Sequence, residues 1–162
     1  MIRDWIERRK IKKAFSEYVD PRIIDKLIDD PDSIPLLHTS PKNVDYLIIL
    51  IRDEHLNSLP LIGKAIDIAL ESDAAVQEIC SSLIVFTFGG FEFEDNISPG
   101  EQKNKRLKLL HALQNEIGND ISIVHGAVHT LVGNYGSEKR LSFGAIFPQF
   151  RKVLMQLLNT PY

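Results

Sequence analysis

Two short segments rich in β-branched and aromatic residues, Ala75–Cys80 and Leu83–Phe88, are separated only by Ser81-Ser82. A two-residue connection can join only antiparallel neighbours, so this stretch predicts a β-hairpin, closed off by Gly89-Gly90. The other elements must fit around it. Upstream, Tyr46–Ile51 is an unbroken apolar run of strand length, which suits a strand covered on both faces. Between the two, Leu59, Ile62, Ile66 and Ala69/Leu70 recur with helical spacing. Downstream, Ser98-Pro99-Gly100-Glu101 has the form of a helix start, with a capping Ser, Pro at the first helical position and Glu at the third. The stripe Leu107, Leu110, Leu113, Ile117 carries that helix to Gly118-Asn119-Asp120. Ile121–Leu131 reads as a strand, the Gly133–Gly136 region as a turn, and Phe150, Val153, Leu154 and Leu157 as a closing helix that begins near Pro148. Strand, helix, hairpin, helix, strand, helix is the order of an α/β (α+β) domain, a ferredoxin-like βαββαβ sheet with helices on one face.

A helical arm precedes this domain. Ile2, Trp5 and Ile6 extend the stripe Ile11, Ala14, Phe15, Tyr18, so Ile2–Tyr18 reads as an amphipathic helix, and Asp20-Pro21 starts a second short helix to Asp29. Asp30-Pro31 through Lys42 reads as loop. The division expected is therefore a helical arm or linker over residues 1–30 and a domain over residues 42–162. With 162 residues, 44% of them hydrophobic, the chain can bury a core without disulfides or structural metal. A formal charge of −3 excludes a general nucleic-acid footprint, because the basic residues concentrate only in Arg8-Arg9-Lys10 and Lys12-Lys13. That basic helix suits a solvated linker face or a contact with another helix or a membrane surface, and Trp5 on its apolar side favours contact. The single cysteine, Cys80, excludes an internal disulfide and fits a reducing, cytoplasmic setting, with inert burial in a strand expected. No apolar stretch approaches the ~20 residues that a transmembrane helix needs.

Two separated stretches carry a family resemblance. Lys12-Lys13-Ala14-Phe15-Ser16-Glu17-Tyr18-Val19-Asp20-Pro21-Arg22-Ile23-Ile24 resembles the R-x-F-S-x-Y-V-S-P-x-V-V segment that leads into many bacterial cyclase domains. Val132-Gly133-Asn134-Tyr135-Gly136-Ser137-Glu138-Lys139-Arg140-Leu141, after the apolar Ile123–Val128, resembles the G-N-x-G-S-E-x-R-L turn of class III adenylyl and guanylyl cyclases. The chain is thus identified as resembling that family as a degenerate, pseudo-cyclase member.

The resemblance implies where the chemistry would sit. Cyclisation needs two divalent cations held by carboxylates, which activate the ribose 3′-hydroxyl and neutralise the pyrophosphate. The family's first aspartate falls on Leu50 and its second on Ser82, neither of which is a charged ligand. Asp53 and Glu54 lie past the strand end and read as solvated loop acids. The base-recognising lysine falls on Glu78 and the base-selecting residue on Gly144. The Asn and Arg that orient the ribose and stabilise transition-state charge fall on Arg151 and Met155. Leu50, Glu78, Ser82, Gly144, Arg151 and Met155 are therefore vestigial cleft positions. No catalytic residue, metal site or cofactor is expected. The segment between Leu50 and Ser82 is shorter than in active family members, and the sequence ends at Tyr162, where family domains usually add a further hairpin.

Other constellations have ordinary readings. His125 and His129 lie four apart on a strand, about 12–14 Å along it, too far to share a metal unaided. His38, His55 and His111 have no ligand partner in view, and Ser81, Ser82 and Cys80 lack the context of a catalytic nucleophile. Phe86, Phe88, Phe91 and Phe93 alternate, as core or dimer-contact residues do. The expectation is a catalytically inactive cyclase homology domain serving as a regulatory or dimerisation module in intracellular signalling, partnered by a second copy or another signalling domain. The alternative is a nucleotide-binding or residually active subunit that needs a partner. A cleft can hold a nucleotide weakly without metals, so binding stays open.

Overall fold

The computed structural model describes residue 10 and residues 40–52, 58–90, 97–137, 140–145 and 150–158. The chain divides into two compact units, Met1–His38 and Thr39–Tyr162. Of the first unit only Lys10, which is helical, is described. The expected helices Ile2–Tyr18 and Pro21–Asp29 otherwise lie outside the described residues, as do Asp53, Glu54, Phe91 and Phe93.

The second unit runs β1 (Ser40–Ile51), α1 (Ser58–Glu71), β2 (Ala75–Cys80), β3 (Leu83–Phe88), α2 (Pro99–Glu116), β4 (Ile121–Ser137), β5 (Arg140–Ala145) and α3 (Phe150–Leu158). The strands form one sheet in the order β2-β3-β1-β4-β5, every neighbouring pair antiparallel. Its first four strands are the expected ferredoxin-like arrangement, in which each helix crosses between parallel strands with a third strand inserted between them.

Local chemistry places the element ends. Ser98 caps α2, its Oγ accepting from the Glu101 N–H at 3.2 Å, with Pro99 following where no helical N–H is lost. At the end of α1, Ala74 N–H donates to Ala69 O and Asp73 N–H to Leu70 O, while Asp73 takes φ +57°. That is a Schellman ending, with an aspartate in the left-handed position glycine usually fills. In the β2–β3 turn Ser81 is likewise left-handed, at φ +55°.

The helices α1 and α2 share one face of the sheet. There Leu47, Ile49 and Ile51 of β1 and Ile84, Phe86 and Phe88 of β3 pack against Ala65, Ile68, Ala69, Leu109 and Leu113. On the opposite face Ile48, Leu83 and Val85 pack against Val153 and Leu157 of α3. The closing helix thus adds a second cover, and the central strand needs both, because its apolar run does not alternate.

Three expectations change. Residues 40–42 belong to β1, not to a loop, because Ser40, Pro41 and Lys42 pair with Val132, Leu131 and Thr130. Proline is tolerated there because β3 pairs only with Asp45–Leu50, leaving the other edge of β1 open at Pro41. Gly133–Gly136 is not a turn. It continues β4, paired with Leu141–Gly144 of β5. Pairing supplies the backbone partners that local glycine content argues against. The buried stripes of both crossover helices are also shifted. On α1 Ala65, Ile68 and Ala69 are buried, while Leu59 is 69% exposed and Leu70 43% exposed. On α2 the inner face is Gln102, Arg106, Leu109 and Leu113, with Leu107 and Leu110 only partly buried. A polar half-face under α2 could not be read from apolar spacing.

Candidate functional site

The carboxyl end of β1 is tied on both sides. The Ile51 N–H donates to Ser82 O at 2.9 Å, and the Arg52 N–H to Asp120 O at 2.8 Å. The Arg52 side chain reinforces the second tie, its Nε donating to Ser122 Oγ at 2.6 Å. Leu50 pairs with Leu83 of β3 and Ser122 of β4. Leu50 and Ser82, thirty-two positions apart in sequence, therefore meet at one end of the sheet. Both are half-buried. Leu50 packs against the apolar cluster of Ile48, Leu83, Val85, Val153 and Leu157, beside Tyr46 and Val124.

The positions Glu78 and Gly144 are also brought near one another. Glu78 is exposed on β2, opposite Val85, and Gly144 pairs with Gly133 in β5. Their neighbours are joined directly. Gln77 Nε2 donates to Ala145 O at 2.8 Å, and the Ala145 N–H donates to Gln77 Oε1 at 3.1 Å. Arg151 lies in the first turn of α3. Met155 is on the same helix, 50% exposed, and turned away from the sheet that Val153 and Leu157 contact.

Leu50 and Ser82 themselves offer a divalent cation no charged ligand. One is a leucine packed into an apolar cluster and the other a serine, and neither balances such a charge. Among the described residues no three His, Cys, Asp or Glu side chains gather as metal ligands.

Among the described residues the buried acid and base lie elsewhere. Asp45 of β1 and Arg106 of α2 form an ion pair at 3.2 Å, both side chains at most one-tenth exposed. Its geometry is incomplete, because Asp45 Oδ2, Arg106 Nε and the nearby Gln102 Oε1 lack hydrogen-bond partners within the described protein. Burial pushes the Asp45 carboxyl above its ordinary range, against the pull of Arg106, Lys103 and His125. Burial, then the Arg106 charge, push His125 below its ordinary value, against Asp45. His129 Nδ1 is 2.9 Å from Asn43 Oδ1. Nothing in the sequence reading singled out this cluster. Its signal was a lone aspartate entering the apolar β1 run and an arginine three residues before Leu109. Cys80 also differs from expectation. It is exposed, because it ends an edge strand rather than a central one.

Among the described residues no helix is long and apolar enough to cross a membrane. No protein-family profile and no curated protein matches the sequence. Solved structures do. A bacterial light-regulated adenylyl cyclase is 11% identical, with a TM-score of 0.63, over 97% of this chain and 51% of its own. The catalytic core of a rhodopsin-guanylyl cyclase with converted specificity, in complex with ATPalphaS, is 10% identical with a TM-score of 0.54, over 76% of each chain. The guanylate cyclase domain of RhGC from Catenaria anguillulae, in complex with GTP, is 12% identical with a TM-score of 0.50, over 74% of each. The fold of this chain is that of nucleotide cyclase domains.

Proposed function

We propose that the chain is a nucleotide cyclase homology domain that makes no cyclic nucleotide and acts as a regulatory or dimerisation module in intracellular signalling. The observation that carries this reading is Leu50. At the strand end where carboxylates would have to hold divalent cations, its side chain is committed to the apolar cluster beneath α3, with Ser82 as its neighbour across the Ile51–Ser82 hydrogen bond. Arg151 and Met155 stand in the places of the ribose-orienting Asn and the charge-stabilising Arg. Neither the metal half nor the transition-state half of the motif set remains, so a second copy could not restore the site by symmetry.

A second copy is the partner that the surface suits. His125, Ala127, His129 and Leu131 lie on one side of β4, beyond the cover of α2, and all are exposed, Leu131 at 47%. The row contains no acid or Lys/Arg, and such an uncharged strip is the kind of surface that a homodimer buries. On this reading residues 1–30 are the helical arm through which the domain of residues 42–162 is coupled to other modules, in the cytoplasm.

The decisive experiment incubates the purified chain with ATP or GTP and Mn²⁺ and assays for cyclic product. No product above a protein-free control is expected, and turnover by the isolated protein would overturn the reading. Sedimentation at micromolar concentration is expected to show a dimer. A strictly monomeric species removes the dimerisation role.

A further inference from the structure

The two outermost strands of the sheet touch. In the order β2-β3-β1-β4-β5, four inter-strand steps of about 4.8 Å would hold β2 and β5 about 19 Å apart in a flat sheet. Yet the Gln77 side chain reaches the Ala145 backbone with both ends of its carboxamide. Two features bring this about. The β2–β3 register slips between Val76 and Glu78, so Gln77 is the extra residue of a bulge, which bends the strand and re-aims its side chain. At the far edge β4 curls until Val132 and Ala145 pack on Val44, on the face of the sheet that α3 also covers.

The bonding is specific in kind. Ala145 presents its N–H and C=O together, and the Gln77 amide meets them with an acceptor and a donor side by side. The edge of a purine ring offers the same pairing, a donor next to an acceptor. Close by, Thr87 is buried and its Oγ1 has no partner. Its cross-strand neighbour on β2 is Ala75, two residues from Gln77, and it lies beside Gly90, which Val44 also approaches. The Gln77 carboxamide and the Ala145 peptide group thus meet beside the valines Val44 and Val132, with the Thr87 hydroxyl on the strand that pairs with β2. Apolar walls with a few convergent polar groups are what a planar ring with polar edges requires.

We infer that the Gln77 carboxamide is an autoinhibitory plug: it occupies the Ala145 peptide group that would otherwise take the edge of a purine base, so nucleotide can enter only by displacing it. The inference rests on the reading of Glu78 and Gly144, the residues flanking the clasp, as vestigial base-recognition positions. It adds a reason for weak binding that is independent of the missing metal ligands.

The test uses the full chain as wild type, Gln77→Ala and Gln77→Met, the last preserving side-chain length without hydrogen bonds. Amide hydrogen exchange at Ala145 reads the clasp. Anisotropy of methylanthraniloyl ATP and GTP, without metal, reads the site, with methylanthraniloyl ribose triphosphate as a base-free control. Loss of a two-point hydrogen bond is expected to speed Ala145 exchange about tenfold in both variants. Both variants are expected to bind the purine probes at least about tenfold more tightly than wild type, and the base-free control no more tightly. Unchanged exchange at Ala145 overturns the clasp. Purine binding that is equal in wild type and variants, or a gain matched by the base-free probe, overturns the plug. Cyclic product from wild type would instead defeat the proposed function and leave the exchange result standing.

Discussion

The two ends of β1 make opposite use of one strand. Toward its amino end Asp45 is buried against Arg106 under the first half of α2, with Gln102 beside them. At its carboxyl end, at the position where the family resemblance expects an aspartate, Leu50 packs beneath α3. Ionised groups are therefore buried in this domain, but where they join a helix to the sheet and away from the end where the hairpin turn meets β1. A buried charge by itself points to no reaction. Asp45 is engaged by a cation from its own fold, whereas a metal-binding carboxylate must be left open toward the ligand.

The largest effect expected from breaking this contrast is at Asp45. Asp45→Leu leaves the Arg106 guanidinium buried without counter-charge or hydrogen-bond acceptor and should cost about 3–5 kcal/mol in denaturant unfolding. Replacing both partners with apolar residues, as in Asp45→Leu with Arg106→Met, should recover most of that loss. A cost for Asp45→Leu of only a few tenths would show that the pair does not hold α2 in place.

Next comes the glycine that lets α2 approach this end of the sheet. Gly89 has φ +76°, and a Cβ there would run into the Gln102 side-chain amide. Gly89→Ala should cost about 1–3 kcal/mol from backbone strain, and should do so even in a Gln102→Ala background, which removes only the collision. Full rescue by Gln102→Ala would assign the cost to the collision alone.

At the opposite end, Leu50→Asp restores a carboxylate where the resemblance expects one. It places that charge against Ile48, Val153 and Leu157, so about 2 kcal/mol of stability should be lost, and adding Ser82→Asp should give no Mn²⁺-dependent product. Product from the double variant would mean that these two positions alone separate the domain from an active cyclase.

The smallest effect is in pH. His125 has its folded-state value depressed below the ordinary 6.5, so its contribution is present above that value and is lost as pH falls through the depressed one. Asp45 is raised, so its contribution runs the other way: it is present at pH below the ordinary 3.8 and lost as pH rises through the raised value. Stability should decline as pH drops below about 6.5, and His125→Gln should flatten that decline. A slope that His125→Gln does not alter would assign the decline to other groups. Since His125 is exposed, the effect is small.

Much of the fold was legible because it was written locally. The bounds of the hairpin strands follow from β-branched residues around a two-residue turn, and the start of α2 from Ser98-Pro99-Gly100-Glu101. Gly133–Gly136 misled for the same reason: glycines speak for turns locally, and only the pairing of β5 made the stretch a strand. For the site, the family resemblance named Leu50 and Ser82 but had no means of saying what fills the space around them. Asp45 and Arg106 could not be paired from sequence at all, because their partnership spans two elements, and Arg106 sat outside the apolar stripe assigned to its helix.

By itself the sequence determined the order and identity of the elements, since helix caps, turn lengths and apolar periodicity act over a few residues. It also determined which side chains are available at the carboxyl end of β1. Tertiary structure alone decided that β4 and β5 continue past the expected turn, that α3 takes the second face of the sheet, that Arg106 neutralises Asp45, and that Gln77 closes on Ala145. The physical reason is common to all four. Each depends on backbone or charged groups finding partners in distant segments, and desolvation makes such a partner necessary without specifying, in any local pattern, which residue it will be.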